Sequence, residues 1–291
     1  MRLKLTLQCV SKPAVIPINY NYQFSAAIYL LLKFGSPEFS EFLHNNGYKI
    51  ENKNFKLFTF AVKLRKYQIL NNNRLEGNHF ELLSPFIDLY ISSPLVESFI
   101  KNFVIGTFEK QKVHIVHKQY VSRFVIKHVE LIPDPEITNE MNFRLLSPLV
   151  LSTLVLRNGR LSPYYLRIND PGIEENLLQN LVRKYRLIYK QDIKVDDFYF
   201  EFDKEYIEKK KGVVSKLITI AEGSKNESKI KGIMCDFKIR TNPELIKVGY
   251  ECGFGSKNSM GFGFVEVNGK TYDQLKEKIF NIQNTKQLEK H

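Results

Sequence analysis

GYECGFGSKNSMGFG, residues 249–263, contains five of the fifteen glycines in this 291-residue chain. Glycine adopts positive φ and lets the backbone approach a neighbour closely, so this density predicts either a loop that presents N–H groups to a phosphate or a tight turn without a ligand. A dinucleotide-binding loop follows a strand and opens a helix, whereas this segment follows a helical pattern and precedes a strand. A P-loop is also excluded, because Gly269-Lys270-Thr271 would require a glycine at the position of Phe264.

Strand and helix patterns on either side of this segment predict an α+β protein. In the first half, strands are predicted at 3–7, 57–63, 86–92, 112–118 and 121–132, and helices at 22–33, 37–44 and 94–105. In the second half, strands are predicted at 149–156, 198–202, 213–222, 229–240 and 262–267, and helices at 174–189 and 243–251. Both halves follow the order β-α-β-β-α-β with insertions, which is the ferredoxin-like pattern. We therefore expect two tandem ferredoxin-like domains.

The domain boundary is predicted in residues 133–140, a polar segment that carries two prolines and interrupts the periodicity. This places an N-terminal domain at 1–133 and a C-terminal domain at 142–267. Residues 268–291 are rich in Lys and Gln, and we expect them to form a C-terminal extension with one helix at 272–282 and a frayed end.

The first two helices have faces that differ in polarity. At helical spacing, Phe24, Ile28 and Leu31 share one side of the first helix, which predicts the core-facing side, while Tyr29 falls on a more polar side that can face outward. The second helix is predicted to begin after the N-cap Ser36, with a proline at its first position. Its predicted core side consists of Phe39, Phe42 and Leu43.

Composition narrows the classes of function. Forty-three Lys and Arg against thirty-one Asp and Glu leave a net charge of +12, which favours a polyanionic partner, nucleic acid above all. Three cysteines without a CxxC pair argue against a disulfide framework and a zinc ribbon, and fit a reducing cytoplasm. The apolar stretch at 26–32 is far shorter than the ~20 residues that cross a bilayer. We expect no membrane span, no export signal and no metal site.

The two triplets Gly253-Phe254-Gly255 and Gly261-Phe262-Gly263, separated by five residues, carry a specific resemblance. They resemble the C-terminal glycine-rich motif of the CRISPR-associated repeat-RNA processing endoribonucleases, family six, in the repeat-associated RNA-binding (RAMP) superfamily. Residues 245–251, 146–148 and 20–60 are also similar to this family, so the resemblance covers about residues 1–267. It implies two ferredoxin-like domains, in agreement with the strand order.

The resemblance further implies which residues carry the chemistry. The family commonly cleaves RNA without a metal, using the 2′-hydroxyl of the substrate as nucleophile and a histidine near the second helix of the first domain. His44 stands at the matching place, Tyr29 lies fifteen residues upstream, and Lys56 opens the matching motif Lys56-Leu57-Phe58-Thr59.

These three residue types suit an RNA transesterification. Imidazole titrates near neutral pH, so His44 can serve either proton transfer, and its position in the last helical turn favours the cationic form. Lys56 would stabilise the charge that develops on phosphorus, and Tyr29 would hydrogen-bond a reacting or non-bridging oxygen. Which proton each residue moves stays open. No cofactor is implied.

RNA binding is expected at the glycine-rich segment, with five residues involved: Gly253, Gly255, Lys257, Gly261 and Gly263. The expected function is cleavage of CRISPR repeat RNA in precursor transcripts to give guide RNAs, in the cytoplasm of a bacterium or archaeon, by a monomer or homodimer. The alternative is a non-catalytic RNA-binding subunit of a CRISPR interference complex. A nucleotide-binding enzyme is disfavoured by the helix–loop–strand order.

Overall fold

The computed structural model describes residues 1–71, 78–117 and 120–268. The helix expected at 272–282 and the rest of the expected C-terminal extension lie outside the described residues. Within them, each half of the chain builds one main antiparallel sheet beside smaller two- or three-stranded ones, and the chain forms a mixed α/β structure with two ferredoxin-like sheets.

The described part of the first half contains ten strands and three α-helices, here numbered in chain order: β1 (Arg2–Cys9), β2 (Val15–Pro17), α1 (Asn21–Gly35), α2 (Pro37–Asn45), β3 (Tyr48–Ile50), β4 (Lys53–Phe55), β5 (Thr59–Leu64), β6 (Tyr67–Asn71), β7 (Asn78–Leu82), β8 (Phe86–Ser92), α3 (Lys101–Lys110), β9 (Lys112–His117) and β10 (Tyr120–Ile132). A π-helical turn, Val96–Ile100, leads into α3. The main sheet has the order β5-β8-β1-β10-β9. The four consecutive members β5, β8, β1 and β10 have the spatial order of a ferredoxin-like fold, with β9 added at the edge beside β10.

Up to residue 268, the second half contains eight strands and three α-helices: β11 (Glu140–Leu145), β12 (Ser152–Arg157), β13 (Arg160–Tyr165), α4 (Ile173–Tyr189), β14 (Tyr199–Phe202), α5 (Lys204–Lys209), β15 (Ser215–Ile220), β16 (Ser228–Ile233), β17 (Phe237–Arg240), α6 (Pro243–Cys252) and β18 (Val265–Val267). A short 3-10 helix, Asn258–Met260, lies between α6 and β18. Its sheet has the order β14-β17-β11-β18, and β12–β13 and β15–β16 form separate hairpins. With α4 after the first strand and α6 after the third, this half repeats the ferredoxin-like connectivity.

Two strand predictions in the second half are wrong in detail. The first strand of its sheet is β11, which begins within the segment expected to be the boundary, whereas the strand expected at 149–156 is mostly β12 and pairs with β13 outside the sheet. β11 does have the alternating pattern of a half-buried strand, with Met141, Phe143 and Leu145 buried, but it is only six residues long and begins at the predicted boundary. The strand expected at 229–240 is interrupted at residues 234–236, giving β16 and β17.

Two glycines allow α1 and α3 to pack closely against each other. Gly35 of α1 and Gly106 of α3 lie where the two helices cross, and a Cβ at Gly106 would collide with the carbonyl of Leu31. The apolar side of α1, including Phe24 and Ile28, is buried as predicted. Phe42 of α2 was predicted on the core side but is 39% exposed.

Arg2 of β1 joins the two sheets. Its guanidinium is buried, donates hydrogen bonds to the carbonyls of Val265 and Tyr250, and stacks on the Tyr250 ring with the guanidinium carbon 3.4 Å from the ring centroid. The Phe264 ring covers it at 4.2 Å. Such a buried, fully enclosed cation fixes the orientation of the second sheet against the first.

Candidate active site and RNA groove

The structure brings Tyr29, His44 and Lys56 together. The N-cap Ser36 accepts a hydrogen bond from the backbone N–H of Phe39 and starts α2 directly after α1. The Ser40 hydroxyl then donates to the carbonyl of Tyr29 at 3.0 Å, which fastens α2 along α1.

As a result, the rings of Tyr29 and His44 meet edge to face, with centroids 5.3 Å apart. The Lys56 ammonium donates to the carbonyl of His44 at 2.9 Å. The structure therefore places an imidazole, a phenol and an ammonium group at the end of α2.

The three side chains differ in burial. Burial raises the pKa of Tyr29 to about 12, an effect opposed in part by a hydrogen bond with the Ser259 side chain, so its hydroxyl keeps its proton at neutral pH. Burial also lowers the pKa of Lys56. His44 is exposed, and its Nδ1 lies 3.0 Å from Oδ1 of Asn45. When Nδ1 carries the proton for that bond, Nε2 is the ring atom available to a substrate.

Gly47 makes room for Lys56. Its φ is +63°, and a Cβ there would lie 2.8 Å from Cδ of Lys56. It would also lie 2.6 Å from the carbonyl oxygen of Phe55, so Gly47 allows the chain that carries Lys56 to approach the end of α2, a positioning role that sequence reasoning did not identify. The signal available was a glycine two residues after the end of α2.

The glycine-rich segment is a folded loop between α6 and β18. All four glycines of the two triplets have positive φ, between +69° and +84°, as the glycine density predicts. The four are buried, and several loop N–H groups donate to carbonyls within the protein, such as Ser256 to Val150 at 2.7 Å. Lys257, by contrast, is exposed. The glycines therefore shape the loop, and the charged side chain at its turn is the part that solvent reaches.

The loop is attached to the first half of the chain by side-chain hydrogen bonds. Asn21 donates to the carbonyl of Met260 at 2.8 Å, Ser25 donates to the carbonyl of Ser259 at 2.8 Å, and the Thr59 hydroxyl donates to the carbonyl of Phe262 at 3.0 Å. These donors come from α1 and β5. Tyr29 also belongs to α1, so the glycine loop is attached to the helix that carries this candidate site residue.

Lys184 organises the loop from the other side. Its side chain is 1% exposed, and its ammonium donates to the carbonyls of Gly253 and Gly255 at 2.6 and 2.8 Å and to Oδ1 of Asn258 at 2.8 Å. All three of its protons therefore have an acceptor. Burial lowers the pKa of this lysine to about 8. Sequence reasoning did not identify Lys184.

A groove of about 410 Å³ runs between these elements. Its walls are the segment leading into β5, the inner side of α4 and the turn of the glycine loop, with the following lining residues: Lys53, Asn54, Phe55, Lys56, Leu57, Phe58, Ser152, Asn180, Lys184, Ser256, Lys257, Asn258, Ser259 and Met260. Four lysines and no carboxylate line it, so the groove suits an anionic ligand.

The described ranges hold no candidate metal cluster and no candidate membrane-spanning helix. No three His, Cys, Asp or Glu side chains there lie close enough together to hold a metal ion. No helix there has both the length and the apolar character needed to cross a membrane.

Comparison with known proteins gives a consistent result. Residues 15–129 match the family model "CRISPR-associated protein Cas6, N-terminal", and residues 132–267 match "CRISPR associated protein Cas6, C-terminal". A relative from Methanocaldococcus jannaschii, "CRISPR-associated endoribonuclease Cas6 1", is 34% identical over 96% of this chain and 97% of its own.

Two solved structures are similar over nearly the whole chain. A Cas6-related protein from Pyrococcus furiosus superposes with a TM-score of 0.76 at 25% identity, over 93% of this chain and 99% of its own. A protein described as "An RAMP protein binding different RNA substrates" gives a TM-score of 0.73 at 25% identity, over 92% of this chain and 99% of its own. The chain therefore belongs to the CRISPR-associated Cas6 family.

Proposed function

We propose that this protein is an endoribonuclease that cleaves CRISPR repeat RNA in precursor transcripts, without a metal ion, at the site formed by Tyr29, His44 and Lys56. The observation that carries the proposal is the convergence of these three side chains beside a lysine-lined groove. The name of the Methanocaldococcus relative, an endoribonuclease, supports the activity, and the description of an RNA-binding neighbour supports the substrate class.

The proposed reaction is an internal transesterification. The 2′-oxygen of the nucleotide before the cut loses its proton to a base and attacks the adjacent phosphorus. The bond from phosphorus to the 5′-oxygen breaks, and the 5′-oxygen takes up a proton from an acid. His44 serves one of the two proton transfers, and such general acid–base assistance contributes ~10²–10⁴-fold to the rate. The products are a 2′,3′-cyclic phosphate and a 5′-hydroxyl, so atoms and charge balance without a co-reactant.

Lys56 and Tyr29 support the same step. Lys56 stands close enough to His44 to stabilise the negative charge that builds on the non-bridging oxygens. Tyr29 keeps its proton because burial raises its pKa, so it acts as a hydrogen-bond donor to a reacting or non-bridging oxygen and not as a base. The glycine loop orders the groove, and Lys257 pairs with a phosphate of the bound RNA.

Single-turnover cleavage of end-labelled repeat RNA tests the proposal. Wild-type protein should cut the RNA once per repeat in the presence of EDTA, and His44→Ala should cut at least about a hundredfold more slowly while binding with similar affinity. A 2′-deoxy substitution at the nucleotide before the cut should abolish cleavage by wild type. If EDTA stops cleavage and magnesium restores it, the metal-independent mechanism is wrong.

RNA binding without cleavage is the second function that the lysine-lined groove supports. A non-catalytic subunit of an interference complex would bind the same repeat RNA and leave it intact, so the cleavage assay separates the two functions. We further propose domains at residues 1–133 and 142–267, and a place of action in the cytoplasm of a bacterium or archaeon as a monomer or homodimer.

A further inference from the structure

The inner side of α4 carries three polar residues, one on each successive turn. Asn176, Asn180 and Lys184 follow each other at intervals of four, among buried apolar residues such as Leu177 and Leu181. Polar side chains on the buried side of a helix need hydrogen-bond partners, because an unpaired buried polar group is costly. We therefore expect each of the three side chains to have a hydrogen-bond partner.

The two outer residues of the row bind the protein. Asn176 donates to the carbonyl of Ser152 at 2.9 Å, and Lys184 donates to three acceptors around the glycine loop. Both have clear structural roles, one holding the start of β12 and the other holding the loop.

Asn180, between them, differs. It is 8% exposed, and its Oδ1 has no hydrogen-bond partner among the described residues. It also lines the groove that contains Lys56 and Lys257. An apolar side chain would fill the same space without leaving an unpaired acceptor, so packing alone does not account for an amide at this position.

The chemistry of the amide indicates what it would bind. The lysines of the groove match the phosphates of an RNA, whereas a neutral amide offers one acceptor and two donor hydrogens. That set is complementary to a base edge or to a ribose 2′-hydroxyl, the groups by which single-stranded RNA is read. The terminal torsion of Asn is broad, so a rotation can present either the oxygen or the nitrogen to the groove.

We propose that Asn180 is a specificity-determining residue whose amide hydrogen-bonds a neutral polar group, a base edge or a 2′-hydroxyl, of a ribonucleotide bound in the groove. This inference rests on the proposed function, because it assumes that the groove holds RNA.

The test compares Asn180→Leu with Asn176→Leu, the same change one helical turn away. Both variants and wild type cleave end-labelled repeat RNA under single-turnover conditions over a series of protein concentrations, and thermal melting is measured in parallel. For Asn180→Leu, the half-saturating protein concentration should rise about tenfold, because a tenfold loss of affinity corresponds to the free energy of about one hydrogen bond. The melting temperature of this variant should not fall below that of wild type. Asn176→Leu should lower the melting temperature and leave half-saturation within about twofold of wild type.

Substituted RNAs identify the group that Asn180 contacts. Repeat RNAs with single 2′-deoxy nucleotides or with bases that lack an exocyclic amine are tested against wild type and Asn180→Leu. A substitution that weakens binding by wild type about tenfold but leaves binding by Asn180→Leu unchanged marks the contact. A 2′-deoxy position indicates the ribose, and a base analogue indicates the base edge.

The outcomes are separable. Unchanged half-saturation in Asn180→Leu, with repeat RNA bound by wild type, overturns the inference but not the proposed function. A lowered melting temperature with a matching loss of binding indicates a structural residue and also overturns it. Should Asn180→Leu fail to fold, Asn180→Ala, which adds no bulk, replaces it with the same expected results. Wild type that binds no repeat RNA overturns both proposals.

Discussion

Replacing Lys184 by methionine should destabilise the protein by about 3 kcal/mol. The change keeps an unbranched side chain of similar length but removes the ammonium, which leaves the carbonyls of Gly253 and Gly255 and Oδ1 of Asn258 without this donor. Hydrogen bonds to a charged group contribute ~1.5–3 kcal/mol each, so the three contribute on the order of 6 kcal/mol.

The cost of burying the ammonium opposes this gain. This cost is seen in the pKa of Lys184, which burial lowers from 10.5 to about 8, and methionine does not bear it. Because the cost of burial offsets part of the gain, we expect a net loss of about half the gross contribution, about 3 kcal/mol, for Lys184→Met.

Urea unfolding followed by circular dichroism measures the change, with Lys257→Met as the matched control. Lys257 lies in the glycine loop itself but is exposed, so the same substitution there should alter the free energy of unfolding by less than about 0.5 kcal/mol. A value for Lys184→Met as small as that of the control would refute the argument that this lysine organises the loop.

Three further predictions concern the same region. Gly261→Ala should lower the melting temperature more than the control Gly159→Ala. Both positions have positive φ, which costs an alanine ~1–2 kcal/mol, but a Cβ at Gly261 would also lie 2.8 Å from the Phe60 ring, whereas nothing lies within 4 Å at Gly159. Equal shifts in melting temperature would show that the ring moves aside freely. Lys257→Ala should weaken binding of repeat RNA and reduce the slope of log affinity against log salt by about 1 without a change in melting, and an unchanged slope would contradict a phosphate contact. Between pH 8 and 10, Lys184 keeps its proton in the unfolded chain but loses it in the native protein, because its native pKa is about 8. The free energy of unfolding of wild type should therefore rise relative to that of Lys184→Met by up to ~1.4 kcal/mol per pH unit. A constant difference between the two proteins over this range would contradict the low pKa.

Local patterns in the sequence determined much of the fold. The apolar spacing of α1, the Ser36 cap with the proline after it, and the strand predicted at 86–92 all depend on residues close together in the chain, and the structure agrees with each. Positive φ at the four glycines of the loop follows from the absence of a Cβ, which is also a local property. The order of elements and the glycine triplets were together sufficient for two ferredoxin-like units and the family.

The tertiary structure alone decided which distant residues meet. Polar residues at 176, 180 and 184 on an apolar helix side were visible as a pattern in the sequence, but their partners depend on where β12 and the glycine loop lie in space. The contact of Lys56 with the His44 carbonyl joins a strand entry to a helix end, and no local periodicity specifies it. The place of β11 in the sheet is likewise decided by its pairing with β17 and β18, which lie about a hundred residues away. Burial and hydrogen-bond partnership are properties of the assembled chain, so a sequence pattern predicts the elements while the packing between them decides the site.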